Sequence, residues 1–312
     1  MPYISFSQGK AEMKRKFSID KKFYPAISRI FSPVVLDGIA ADGRSGYMND
    51  VIKLSNFSAS FDLDMSLSDF FDFTYDFCVK NYRNEYVYKN AIANKILLGR
   101  HSLNTSTMLT EFRAGSCKAD VVILNGSSAV YEIKSEYDTF ERLENQIAAY
   151  LDIFDNIYVV TDESQVGKLK ELLPEIAGII VLTKKNTLKT VREAGSNKKN
   201  VQPDKIFDSL RQSEYTRIIK SCFGKVPDVP NTRIFRECKE LFCKLEPETA
   251  HDAMVKELKR RSGKCDLSYI INSLPSSLSS YAVSTSVKKG KNSGIKNLIP
   301  KLGQSIGSFL EM

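Results

Sequence analysis

Tryptophan is absent from the 312 residues, and histidine occurs only at His101 and His251. A metal centre built on several imidazoles is therefore excluded. No run of eighteen apolar residues occurs, so the sequence predicts no transmembrane helix. The opening stretch, residues 1–17, lacks the apolar core that a secretory signal requires. The six cysteines are scattered and form no C-x-x-C pair. Cys238 and Cys243 are five residues apart, a poor zinc spacing without nearby histidine. Reduced thiols in a cytoplasmic protein are the plain expectation.

What is present is an ordinary globular composition, 42% apolar and 26% charged. The length suggests about two domains. Charge is divided unevenly. Residues 1–194 carry 24 basic and 25 acidic side chains, whereas residues 195–312 carry 21 basic and 12 acidic. A neutral part joined to a basic part suits an electrostatic hold on a polyanion such as DNA. A solvated surface with a flexible basic end gives the same count.

Residues 1–65 form an N-terminal region of unclear role. From Ser66 the spacing predicts a helix, with Ser66 or Ser68 as its cap and Phe70, Phe73 and Phe77 on one side. A second helix is expected over 84–98, stopped by Gly99. The period then changes. Leu109 to Arg113 alternates, Gly115-Ser116 turns, and Ala119 to Leu124 reads as a strand. Asn125-Gly126 is a strong hairpin signal, and Ala129 to Lys134 returns. A helix over 139–154, a strand over 157–160, a helix over 164–173 and a strand over 178–182 follow. The order predicts a mixed sheet flanked by helices, an α/β class.

Residues 194–203 read as a linker and 204–272 as a basic, mainly helical domain with helices over 205–223, 233–245 and 247–261. Residues 273–312 read as a Ser/Lys-rich tail in which Lys288 to Lys291 is mobile. Its last stretch, 294–310, has loose helical amphipathicity. Packing on its own protein or fraying is expected there, rather than anchorage to a membrane.

Three charged residues interrupt the apolar hairpin: Asp120 on one strand, and Glu132 and Lys134 on its partner. The two-residue period puts Glu132 and Lys134 on one face and Ile133 on the other. The turn brings Asp120 across from Glu132. Two carboxylates on neighbouring strands repel, and a hard divalent cation such as Mg²⁺ or Mn²⁺ relieves that repulsion. Lys134 would then stand beside the ion. A surface hairpin carrying an ordinary ion pair is the competing explanation.

This arrangement resembles the PD-(D/E)XK nuclease superfamily. Ala119-Asp120 stands where that family has Pro-Asp, and Glu132-Ile133-Lys134 matches Glu-x-Lys. Gln146-Ile147-Ala148-Ala149-Tyr150 looks like the Gln-x-x-x-Tyr element of the RecB-like branch. The resemblance covers roughly residues 66–183, so 66–193 would be the nuclease-like domain with a restriction-endonuclease-like core. It implies a Mg²⁺- or Mn²⁺-dependent hydrolase acting on phosphodiester bonds in nucleic acid, with DNA as the expected substrate. It also implies Asp120, Glu132 and the Ile133 carbonyl as metal ligands, and Lys134 as the group that positions water. Glu85 would be a further carboxylate, Gln146 a helix-borne site residue, and Glu111 a weaker acidic candidate. Two other readings stay open: a non-catalytic nucleic-acid-binding module on such a fold, and a helix-turn-helix regulator within 205–261. A homodimer is compatible with all of them.

Overall fold

The computed structural model describes residues 19–101, 103, 105–261, 267–286 and 292–310. The expectations for residues 1–17, Cys265 and Lys288 to Lys291 lie outside them.

A six-stranded mixed sheet organises the chain in the order β1 (Thr107–Ala114), β2 (Cys117–Asn125), β3 (Ser127–Lys134), β4 (Asn156–Thr161), β5 (Gly178–Leu182), β6 (Leu188–Arg192). β1, β2 and β3 form an antiparallel meander; β3–β4 and β4–β5 are parallel, and β6 returns antiparallel. Helices cover both faces, so the mixed α/β class holds. The strand β6 and the helices before residue 66 are additions to the expected elements.

One face buries Val121, Ile123, Tyr131, Ile133 and Val160 under helices Leu67–Asn81 and Glu85–Ile92. The first of these starts as its sequence requires. Ser66 Oγ accepts from the Asp69 N–H at 3.0 Å and donates back to Asp69 Oδ2 at 2.7 Å. The second continues through a π-helical turn, Ala93–Leu97, before it ends. The same core takes in Ile27, Leu36 and Ile52 from the N-terminal region, and Leu278, Ile295 and Phe309 from the far end of the chain. The described parts of this end, 273–286 and 292–310, therefore pack against their own protein. Leu67 and Ser68 N–H donate to the Gln304 and Leu302 carbonyls, and Lys301 Nζ donates to the carbonyls of Ile39 and Ala40.

The other face buries Val122, Leu124, Val130, Ile157 and Val159 under helix Leu143–Leu151 and helices Pro203–Ser209, Gln212–Phe223, Asn231–Phe242 and Pro247–Leu258. The helix expected over 205–223 breaks at Leu210–Arg211, where the Arg211 N–H donates to Glu214 Oε2 at 2.8 Å. Residues 194–203 are fastened to the start of β4. Asp155 Oδ1 accepts from Ser196 Oγ at 2.6 Å and from the Asn197 and Lys198 N–H groups at 3.0 and 3.1 Å. The basic helices thus share one core with the sheet.

Candidate active site

The hairpin turn sets the site. Gly126, at φ 71°, lies between paired Asn125 and Ser127, and the ladder runs back to Val121 opposite Tyr131. The next positions outward are Asp120 and Glu132. There the backbone ladder ends, and Asp120 Oδ2 accepts from the Ile133 N–H at 2.8 Å. On a strand a residue's N–H and C=O point to the same side, so the Ile133 carbonyl also opens toward β2. Its side chain is buried on the far face, as the period demands.

On β1 the pair opposite Asp120 is missing too. Thr110 pairs with Val121 and Phe112 with Ala119, while Glu111 between them has φ 54°. A left-handed residue reverses the alternation of a strand. Leu109 and Phe112 consequently both face the second core, although they are three residues apart. β1 therefore lacks the simple alternation expected over 109–113. Glu111, Asp120 and Glu132 thus occupy one row across three neighbouring strands, a placement that like charges oppose. A non-glycine residue held in the left-handed region beside such a row is a strain of the kind found at functional sites.

Glu85 joins this row from the first turn of its helix. Carboxylate oxygens of Glu85, Glu111 and Asp120 lie within 4.8 Å of one another. Lys89, one helical turn on, reaches Glu85 Oε1 at 2.5 Å and Glu111 Oε1 at 2.6 Å. Burial disfavours its charge, but those carboxylates outweigh burial and hold the ammonium above its ordinary pKa. Nothing in the sequence around Lys89 marks it as part of the site. An acid and a base four apart on a helix look like any surface pair.

Glu132 is 2% exposed and turned toward helix Leu143–Leu151. Its Oε1 accepts from Gln146 Nε2 at 2.5 Å and lies 3.1 Å from Lys134 Nζ. Lys134 Nζ in turn donates to Gln146 Oε1 at 2.9 Å. The Tyr150 hydroxyl lies 2.7 Å from Glu132 Oε2 and 2.8 Å from the Lys118 carbonyl. Gln146 and Tyr150, one turn apart, therefore grip both ends of the Glu132 carboxylate. Tyr150 is fully buried and is both core and site.

Burial first, then the Glu132 charge, pushes the Asp120 carboxyl up to about 7. Burial raises Glu132 as well, against the pull of Lys134, Tyr150 and Gln146. All of these groups except Glu111 and Lys89, together with Tyr82, Tyr137, Lys118 and Arg142, border a cleft of about 730 Å³, apart from the buried Tyr150 behind it. The structure thus gathers Glu85, Asp120, Glu132, Lys134 and Gln146 in one place. It differs from expectation in the partners of the two acids. Asp120 meets Glu85 and Glu111, while Glu132 is engaged by Lys134, Gln146 and Tyr150.

The donor set suits a hard ion. The carboxylate oxygens at Asp120 are what Mg²⁺ and Mn²⁺ select. Asn84 Oδ1, on the residue just before the Glu85 helix and bordering the cleft, is buried with no hydrogen-bond partner among the described residues.

A second constellation has the residue types of a Ser-His-Asp triad but is buried. Ser128 Oγ lies 2.7 Å from His251 Nε2, and His251 Nδ1 lies 3.4 Å from Asp252 Oδ1. Ser128 is 1% exposed and His251 is 0% exposed, so no substrate reaches either. Burial holds the imidazole below its ordinary pKa and therefore neutral. These groups join β3 to helix Pro247–Leu258.

Residues 79–281 match the model of the family described as bacteriophage P4 protein cII, a span that contains every residue of the candidate site. The chain belongs to that family. The protein cII of Enterobacteria phage P4 is 22% identical over 205 residues, covering 62% of this chain and 75% of that protein. Among solved structures, a protein of unknown function from Silicibacter pomeroyi, SPO1766, is 20% identical with a TM-score of 0.30, over 42% of this chain and 86% of that one. A likeness at that level carries no inference. Among the described residues no helix is long and apolar enough to cross a membrane.

Proposed function

We propose that the chain is a metal-dependent phosphodiesterase acting on nucleic acid, with DNA as its substrate, built on a restriction-endonuclease-like core. The observation that carries this reading is the joined set of Asp120, Glu132, Lys134 and Gln146 at the open end of a hairpin, with Glu85 brought to Asp120 from a preceding helix. The meander, the following helix and a strand parallel to β3 support the same core.

In this proposal Asp120, Glu132 and the Ile133 carbonyl hold Mg²⁺ or Mn²⁺, with Glu85 as a further carboxylate. When bound, such an ion polarises the scissile phosphate and stabilises the leaving oxygen. Lys134 borders the cleft with its ammonium held by Gln146 and Glu132; in this proposal it orients the attacking water and counters charge developing on phosphate oxygens. Gln146 fixes Lys134 and Glu132 relative to one another, and Tyr150 anchors the far oxygen of Glu132. Lys89 balances Glu85 and Glu111 outside the reacting centre. The basic helices of 204–261 supply contacts to backbone phosphates. The cysteines described are free thiols, which suits a cytoplasmic setting.

Nicking of supercoiled plasmid in Mg²⁺ or Mn²⁺ tests the proposal. Asp120→Ala and Lys134→Ala are expected to lower the rate at least a hundredfold, of the order that removal of an electrostatic catalytic group costs. Nicking that persists unchanged in both variants defeats it.

A further inference from the structure

The cleft has an aromatic wall that the proposed chemistry does not use. Tyr82 and Tyr137 border it with ring centroids 4.9 Å apart and planes tilted by 30°. Tyr82 is half-buried, and Tyr137 is 54% exposed. Both rings stand on fixed backbone. Tyr82 precedes Arg83, whose buried guanidinium pairs with Asp162 and donates to the Leu182 carbonyl at 2.9 Å. Tyr137 belongs to the turn that directly follows Lys134. There Asp138 Oδ2 accepts from the Ser135 N–H at 2.8 Å and from Ser135 Oγ at 2.6 Å. Ser135 Oγ accepts in turn from the Tyr137 N–H at 3.3 Å.

An aromatic face held open beside a polar cleft offers stacking to another π system. The local charges decide which part of a polynucleotide lies against it. Glu136 and Asp138 flank Tyr137 in sequence, so this wall disfavours phosphate and leaves the uncharged face of a base. Lys118 and Arg142 border the same cleft and can counter the backbone. In an intact duplex both faces of each base are already covered by neighbours, so only an unpaired base has a face to give.

We propose that Tyr137, backed by Tyr82, stacks an unpaired nucleobase, and that the cleft accepts single-stranded nucleic acid. The position of the strand relative to Asp120 rests on the phosphodiesterase reading; its binding does not.

The test is fluorescence anisotropy of the full chain in Ca²⁺ with a labelled 12-mer, single-stranded or annealed to its complement, with the strands checked intact on a gel. The single strand is expected to bind at least tenfold more tightly than the duplex. Tyr137→Ala should weaken single-strand binding about five- to a hundredfold, the scale of one lost base stack, and leave duplex binding alone. Tyr137→Phe should stay within about twofold of wild type, since the ring face is retained. Circular dichroism establishes that each variant is folded. Single-strand affinity of Tyr137→Ala within about twofold of wild type overturns the proposal, as does duplex binding equal to single-strand binding. The two readings separate cleanly. A Tyr137-dependent single-strand preference with no cleavage of either plasmid or the single-stranded 12-mer in Mg²⁺ or Mn²⁺ leaves the platform standing and sinks the hydrolase. Nicking with unchanged Tyr137→Ala affinity does the reverse.

Discussion

Asp120→Asn removes one negative charge from a row of carboxylates while keeping an acceptor for the Ile133 N–H. In the folded chain the Asp120 carboxyl is pushed from 3.8 up to about 7 by burial and by Glu132. A carboxyl raised by folding binds its proton more tightly in the native than in the unfolded state. Stability is therefore fullest below the unfolded value and is lost as pH rises through about 7. The displacement is roughly three pH units, worth at most about 4 kcal/mol at about 1.36 kcal/mol per unit. Glu132 shares the repulsion and can take up the proton instead, so about half of that, ~2 kcal/mol, is expected for the single variant. For a chain of this size that is a rise in Tm of about 4 °C. Thermal melts in EDTA at pH 8 and pH 5 read it directly. Asp120→Asn should melt higher than wild type at pH 8, and the gap should shrink toward pH 5. A variant that melts at or below wild type at pH 8, or that shows the same gap at both values, refutes the electrostatic account of the site.

Ser128→Ala leaves the Asp155 N–H and His251 Nε2 without their buried partner, so urea titration should show a loss of about 1–3 kcal/mol. Plasmid nicking should stay at the wild-type rate in the folded fraction, and a serine-directed fluorophosphonate should not label the chain; labelling at Ser128 would contradict its burial. Arg83→Met leaves the buried Asp162 with the Ser164 N–H as its remaining partner, and unfolding should become about 3 kcal/mol easier; a loss below about 1 kcal/mol would show that the pair is solvated.

The hairpin was legible because its signals are local. Asn125-Gly126 fixes the turn, the turn fixes the register, and the two-residue period then places Asp120 by Glu132 and turns Ile133 inward. The helix expected over 139–154 is shorter, Leu143–Leu151, but the position of Gln146 one turn before Tyr150 was readable. The row that includes Glu111 was hidden. Nothing in Thr110-Glu111-Phe112 signals a left-handed residue, and without it the strand phase comes out reversed. Lys89 was hidden because a pair four apart on a helix carries no sign that a third carboxylate waits across the fold. The segment 194–203 reads as a linker by composition, since capture by Asp155 is a contact across some forty positions of sequence. Which core the far end of the chain packs into was hidden for the same reason. Leu278, Ile295 and Phe309 are spaced without strong periodicity, and their partners lie near the N-terminus.

Anomalous diffraction from a crystal soaked in Mn²⁺ tests the central claim most directly. The account predicts a peak bonded to an Asp120 oxygen at about 2.1 Å, shared with Glu132, with the Lys134 ammonium alongside. An ion held by Glu85 and Glu111 alone, or no peak while Glu132 stays bound to Gln146 and Tyr150, would contradict it.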